Sequence, residues 1–440
     1  MTVVTVASAL LVPINAAALG NVGEEKLAAS SGMDYAYPVK GGIVKNVDEL
    51  IAAFTDTREG KEGKVYARAV AGKENTVELT ADVILKAPIQ ITEGVYKLLG
   101  RHATVYRGFE GVGCMIEIVG LGNKASGLIL ENEDTGEWST PLLTLDGNRA
   151  QYPLSPLGII TMKGRTSLTV NKGVLMTGAS SVTYGGAIFA EIDEFGTERT
   201  PLIPTVKLDN CRIENCHSEA GGGAVALVGY YSGTNGGELS LKNVTLKNNT
   251  ANGSELYGKG GAIYSVGGTL ELENVNMENN VAHFGGAVYT ESDTVVKNST
   301  VSYNKALIEG GAIACGVREN LKGTLQLIDC TVTYNESEGN GGALASDGLV
   351  ELKGMTLLMN NEAAAFGGAV FNKGELTLSG GSLTSNKAGA VGGGIYSAGK
   401  LSKIVMNDAE LGNNEAAHVS ALYCEGIFEM YDGAIGNSKG

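Results

Sequence analysis

The residues of this 440-residue chain that could do chemistry are six cysteines, four histidines and a surplus of acids, 48 against 33 basic side chains. The cysteines are Cys114, Cys211, Cys216, Cys315, Cys330 and Cys424, an even count of the kind that suggests disulfides in an exported protein. Counted in the chain's own repeat of about 25 residues, their spacing argues otherwise. Cys211 and Cys330 share a slot that Val244 and Val275 fill elsewhere. Cys315 and Cys424 share another slot about four repeats apart, far beyond bridging distance. Cys216 stands where other repeats place an Asn. All are read as core thiols, and no Cys-x-x-Cys suggests a zinc cluster. His102, His217, His283 and His418 show no ligand spacing, and the last three read as turn residues.

The acids offer no clearer centre. The Gly-Gly-x-Gly-x-Asp nonapeptide of calcium solenoids is absent. No column of acids stands beside a basic residue, and Glu271, Glu351 and Glu375 read as a solvated face. No metal and no cofactor is expected. Glycosidase chemistry needs two opposed carboxylates, and the surplus of acids leaves that alternative open.

Aromatic side chains give the candidate ligand-binding residues. One repeat position reads Phe189, Ala226, Tyr264, Tyr289, Ala314, Ala345, Phe371, Tyr396 and Tyr423. Strand alternation points it outward. Tyr264, Tyr289, Phe371, Tyr396 and Tyr423 would then form a flat strip of stacked rings, suited to sugar faces or to a partner's apolar side chains. The alternative is that the rings pack under corner loops or stack only for stability.

The repeat itself must position these residues. A Gly-Gly-Ala-aliphatic word starts at Gly185, Gly222, Gly260, Gly285, Gly310, Gly341 and Gly367, with a Gly-Gly-Gly-Ile variant at Gly392 and a worn copy at Val419. Before it runs a Leu-x-Leu alternation ("TLELENV", "TLQLIDC"), a strand with one buried face. Next comes aliphatic-x-x-Asn, ending at Asn249, Asn280, Asn304, Asn335, Asn361, Asn386 and Asn414. These seven are expected to stack as an amide ladder. Glycine is 64 of 440 residues, yet 43% hydrophobic content gives the chain apolar surface to bury, which separates it from low-complexity disorder. Three short strands per repeat, in tandem, predict an all-β fold: a right-handed parallel β-helix of about 12 or 13 coils, a rod roughly 60 Å long.

Ahead of the regular coils, "KNVDELIAAF" places Val47, Leu50, Ile51 and Phe54 on one helical face, with Asn46 and Glu49 as a capping box. The expected organisation is an apolar export signal over 1–18, with cleavage near Ala16 to Ala18, and a linker over 19–45. A helical cap with irregular coils follows over 46–180, and regular repeats over 181–440. The last residues, "GIFEMYDGAIGNSKG", open a further coil and read as a repeat array that continues. A net charge of −15 repels phosphate backbones and anionic membrane surfaces, so nucleic acid is not an expected partner.

The pairing of aliphatic-x-x-Asn with Gly-Gly-Ala-aliphatic, over about residues 185 to 425, resembles the repeats of the polymorphic outer membrane protein family. More broadly it resembles pectin-lyase-like β-helix proteins of bacterial surfaces. The resemblance implies an exported, adhesin-like surface protein that meets glycans or surface proteins and does no catalysis. Lyases and glycosidases on the same scaffold are the alternative, and a spacer stalk for a further domain is a third. The first position of aliphatic-x-x-Asn departs from the aromatic usual in that family. No membrane barrel of the autotransporter kind is legible, so the expected location is extracellular, at the cell surface, with the outer membrane as an alternative.

Overall fold

The computed structural model describes residues 36–111, 113–120, 125–132, 142–153, 155, 157–192, 203–229, 237–253, 258–318 and 321–436. The expected export signal lies outside them. From Tyr37 onward the described residues form one unit, a right-handed parallel β-helix. Its sheets hold 14, 14, 13 and nine strands, each strand bonded to its counterpart in the next coil. In the Leu-x-Leu sheet, Leu239 pairs with Leu270, Leu270 with Thr294, and Leu325 with Val350. The aliphatic members of this column are buried. Alternation therefore sets the inward face of each coil, and parallel pairing stacks that face into one continuous core.

Two expectations need correction. Three strands per coil were expected, but from Ser180 a fourth sheet runs to His418. Several of its strands have two residues, such as Thr250–Ala251 and Glu336–Ser337, too few for alternation to register. The second correction concerns the linker. Tyr37–Val39 and Gly42–Val44 already pair with the strands of the following coil, so the helix-shaped solenoid begins inside the stretch read as linker.

The Asn ladder is buried throughout and runs in one direction. Asn280 Nδ2 donates to Asn304 Oδ1 at 2.9 Å, Asn304 to Asn335 at 3.0 Å, and Asn335 to Asn361 at 3.0 Å. The same amide donates to a carbonyl of the preceding coil, as Asn335 does to Val301 O at 2.9 Å. Each Oδ1 also accepts a backbone N–H, as Asn335 does from Asn304 at 2.9 Å. At its start Cys216 replaces the amide, and only its backbone N–H reaches Asn249.

The two glycines of the repeated word do different work. Gly285 has φ 64°, a left-handed corner that side chains disfavour. Gly286 is not left-handed, but a Cβ there would overlap the carbonyl oxygen of Gly311 in the next coil. One glycine turns the chain and the other lets two coils approach.

The helix Val47–Ala53 forms where it was expected, with Asn46 Oδ1 accepting from Glu49 N at 2.9 Å. The carboxylate of Glu49 accepts from Lys45 N at 2.6 Å, one residue earlier than the usual capping box. Leu50, Ala53 and Phe54 join the solenoid core. Beside it, Asp56 accepts from Arg58 and from the Tyr66 hydroxyl at 2.8 Å. The Arg58 guanidinium holds its carboxyl well below the usual range.

Replacing Asn335 by Ala strips partners from Val301 O, Thr333 O and Asn304 at once. The expected loss is about 3 kcal/mol, read as a lower urea midpoint. An unchanged midpoint would show that the ladder fills space without stabilising the stack.

Candidate functional site

The outward ring column exists, and its stacking neighbours are as the repeat places them. Tyr264 and Tyr289 have centroids 5.7 Å apart, Phe371 and Tyr396 5.8 Å, Tyr396 and Tyr423 5.0 Å. The rings point away from the solenoid core, yet most are not open to solvent. Tyr264 is 3% exposed, Phe371 6% and Tyr289 9%, while Tyr423 reaches 36%. The cover comes from residues just before the Gly-Gly word. Tyr184 stacks on Tyr264 at 5.3 Å and Phe366 lies 4.8 Å from Tyr396. Phe189, Tyr264 and Tyr289, with Val228 and Val266, form a small apolar cluster of their own, and Tyr184 and Phe284 pack on it. The open strip of rings is therefore corrected to a covered one. Burial and a hydrogen bond to Glu425 at 2.9 Å push the Tyr396 hydroxyl up to about 12.

The column is interrupted by a single coil at Ala226 and, further on, by two adjacent coils. Between Tyr289 and Phe371 two coils carry Ala314 and Ala345. In the same two coils the covering position holds the polar Glu309 and Asn340, where other coils carry Tyr184, Gly221, Lys259, Phe284, Phe366 and Val391. Both changes open a cleft of about 160 Å³. Its floor is Ala314, Cys315, Ala345 and Ser346, all buried.

Lys259, Phe284, Tyr289, Glu309 and Asp347 line its sides, with Phe371 and Lys373 beyond. The Lys259 ammonium sits 4.4 Å from the Tyr289 ring centroid and 3.3 Å from its hydroxyl. That hydroxyl donates to Glu291 Oε1 at 2.8 Å. Beyond the cleft Lys373 lies 5.0 Å from the Phe371 centroid, 3.5 Å from Asp347 Oδ1 and 3.8 Å from Glu309 Oε2. Asn340 donates to Glu309 Oε1 at 2.9 Å. Such a cleft offers ring surface, the Lys259 ammonium and the Glu309 and Asp347 carboxylates, with Lys373 paired to both acids, the mixture that grips hydroxyl-bearing ligands with an apolar face.

A larger opening of about 330 Å³ lies at the cap, lined by Arg68, Glu78, Arg101 and His102. Both arginines pair with Glu78 there, so its charges are spent on one another. Among the described residues no three His, Cys, Asp or Glu converge in a way that could hold a metal ion. His217 bonds Thr250 and Glu219 within the fourth sheet.

Sequence reasoning placed the two alanines in the ring column but did not read them as a gap. The covering residues were the missing signal, since Glu309 and Asn340 between Phe284 and Phe366 are visible in the sequence. The insertions give a second signal. Extra length enters between Glu191 and Thr205, Val228 and Glu238, and Cys315 and Thr324, after the ring column, and once before it, between Ala251 and Ile263.

Fold and cleft define a repeat protein with a parallel β-helix body. The sequence model of the Chlamydia polymorphic membrane protein repeat matches residues 243–266. That span is one coil, from the corner at Asn243 through ladder residue Asn249 to Val266. No curated protein and no solved structure matches the chain. Among the described residues no helix is long and apolar enough to cross a membrane, which leaves crossing by β-strands unaddressed.

All six cysteines are free thiols. Burial pushes Cys216 and Cys315 up to about 12 and raises Cys114, Cys211 and Cys330 as well. At about pH 8 a thiolate reagent should label native protein at half-buried Cys424 alone, and every cysteine after unfolding. Mass spectrometry of the labelled peptides checks this. Native labelling of Cys315 would mean that the cleft opens through its floor.

Proposed function

We propose that this is a bacterial surface protein of adhesin-like type, working by binding, with the cleft over Ala314 and Ala345 as the seat for one unit of a glycan. The carrying observation is that two adjacent coils put alanines in the ring column beneath the polar covering residues Glu309 and Asn340, whereas the single-coil gap at Ala226 is buried in the apolar cluster of Phe189 and Tyr264. Either feature alone would leave a covered or an apolar surface. Together they make a small polar cleft bordered by the rings of Phe284 and Tyr289, suited to a sugar's C–H face and its hydroxyls. The match to a surface-protein repeat and the acidic charge support an exposed, soluble face. Export is part of the same reading.

A second reading, polysaccharide lyase or glycoside hydrolase, is favoured by one feature. The Tyr289 hydroxyl lies between a carboxylate and an ammonium, a setting that could move a proton. Shortening of a retained polysaccharide, followed by viscosity, would carry that reading. Retention without shortening supports binding alone.

Filling the gap tests the site without foreign chemistry. Ala345→Phe and Ala314→Tyr restore residue types that neighbouring coils accept at this position. On a glycan array, with and without calcium, the parent chain should retain a selective set of glycans. Either variant should weaken that retention by about tenfold or more with its melting temperature unchanged. Retention as strong in both variants as in the parent would remove the cleft from consideration.

A further inference from the structure

The corner just before each ladder Asn is left-handed. In most coils the residue there is Asn, as at Asn248, Asn279 and Asn360, or Ser385. Asn tolerates this backbone because its short polar side chain bonds locally. Two coils put a bulky ring there instead, Tyr303 with φ 56° and Tyr334 with φ 55°, where such a residue is an outlier. The rings do not hide. Tyr303 is 55% exposed and Tyr334 49%. They lie parallel within 4°, centroids 5.2 Å apart, so they overlap face to face with an offset. Each keeps one outer face, beside coils whose residue in the slot is the smaller Asn279 or Asn360. Neither hydroxyl has a hydrogen-bond partner among the described residues.

A strained backbone kept for two exposed rings whose aromatic contact is with each other points towards use. The coils involved sharpen the point. Tyr303 and Ala314 lie in one coil, Tyr334 and Ala345 in the next. The two adjacent coils that lack a ring in the covered column carry one in this exposed slot, while the coil of Ala226 keeps Asn215 there. Between them on the surface, Lys305 pairs with Glu336 at 3.1 Å and Glu338 at 2.8 Å, and Glu309 meets Asn340.

The geometry points to Tyr303 and Tyr334 as a stacking platform for a pyranose of a neutral glycan, on the same two coils as the cleft. Its ligand class rests on the glycan reading above, but its location does not. Two side chains are far below the ~800 Å² that a protein partner commonly covers. A net charge of −15 opposes polyanionic chains. A neutral pyranose brings an apolar face for the rings and hydroxyls for the tyrosine rim, the ion-paired side chains and the Asn360 amide.

The test is affinity electrophoresis of the full chain in gels carrying a mannan, a galactan or a dextran. The variant joins Tyr303→Asn with Tyr334→Asn, the residue that most other coils use there, so folding is preserved and the melting temperature should hold or rise. The expected result is that at least one polymer retards the parent, and that the double variant binds it about tenfold or more weakly. Equal retardation overturns the platform, and equal retardation together with loss in Ala345→Phe leaves the cleft standing alone. A parent retarded by none of the polymers overturns it too. A lower melting temperature in the double variant would assign the rings to stability and also overturn it.

Discussion

Everything in this molecule depends on register between coils. A buried Asn amide cannot be satisfied within its own coil. It needs an oxygen from the coil ahead and a carbonyl from the coil behind, as Asn335 finds in Asn361 and Val301. An amide left alone in that position would carry the full penalty of an unpaired buried polar group. The ladder therefore fixes where each coil sits over the last. The sheets, the Gly-Gly corner and the inward aliphatics follow that spacing. Three of the four insertions fall at the corner after the ring column, where added length disturbs neither the ladder nor the approach of Gly286 to Gly311, and the fourth lies between ladder residue Asn249 and its Gly word.

Such a constraint makes departures informative. A repeat that tolerates little at the ladder and the Gly word is free at outward positions, and there most coils agree out of economy. The coils around residues 300–346 disagree twice. They drop the ring and its cover on one face, and they accept backbone strain to show rings on another. A further ring is missing at Ala226, but only in this pair of coils does the missing ring go with an exposed ring in the ladder corner. Concentrated departures in a repeat array are what a binding surface produces when neighbouring coils remain under structural constraint alone.

The sequence carried the core almost completely, because its signals are periodic. Leu-x-Leu alternation, the Asn of each coil and the Gly-Gly word each repeat in phase, and the helix over 47–53 had both its apolar stripe and its cap. What escaped was not periodic. Two-residue strands such as Thr250–Ala251 hold too little alternation to be seen, so the fourth sheet was missed. Whether the rings are open or covered, two readings that the sequence leaves side by side, was undecided for a different reason. Alternation tells which side of a strand a residue takes, but whether that side meets water depends on Tyr184 and Phe366, which reach over it from the corner. Tyr303 and Tyr334 were legible as Tyr-Asn where other coils spell Asn-Asn. The left-handed backbone that gives the difference its meaning appears only in the structure.

The division between covered and open rings has a physical logic. A stacked column of buried aromatics adds to the stability of a rod whose coils cannot stand alone, and it does so only while it is covered. A ring exposed to water gains little from stacking and adds an apolar surface that must be tolerated. Tyr303 and Tyr334 take that second situation on a backbone that disfavours them. In the same coils, the column gives up rings that would have been covered at no strain. Stability alone would have chosen the opposite on both faces: rings in the column beside Phe371, and Asn in the ladder corner. The sequence of these two coils is therefore better explained by what approaches from solvent than by what lies beneath.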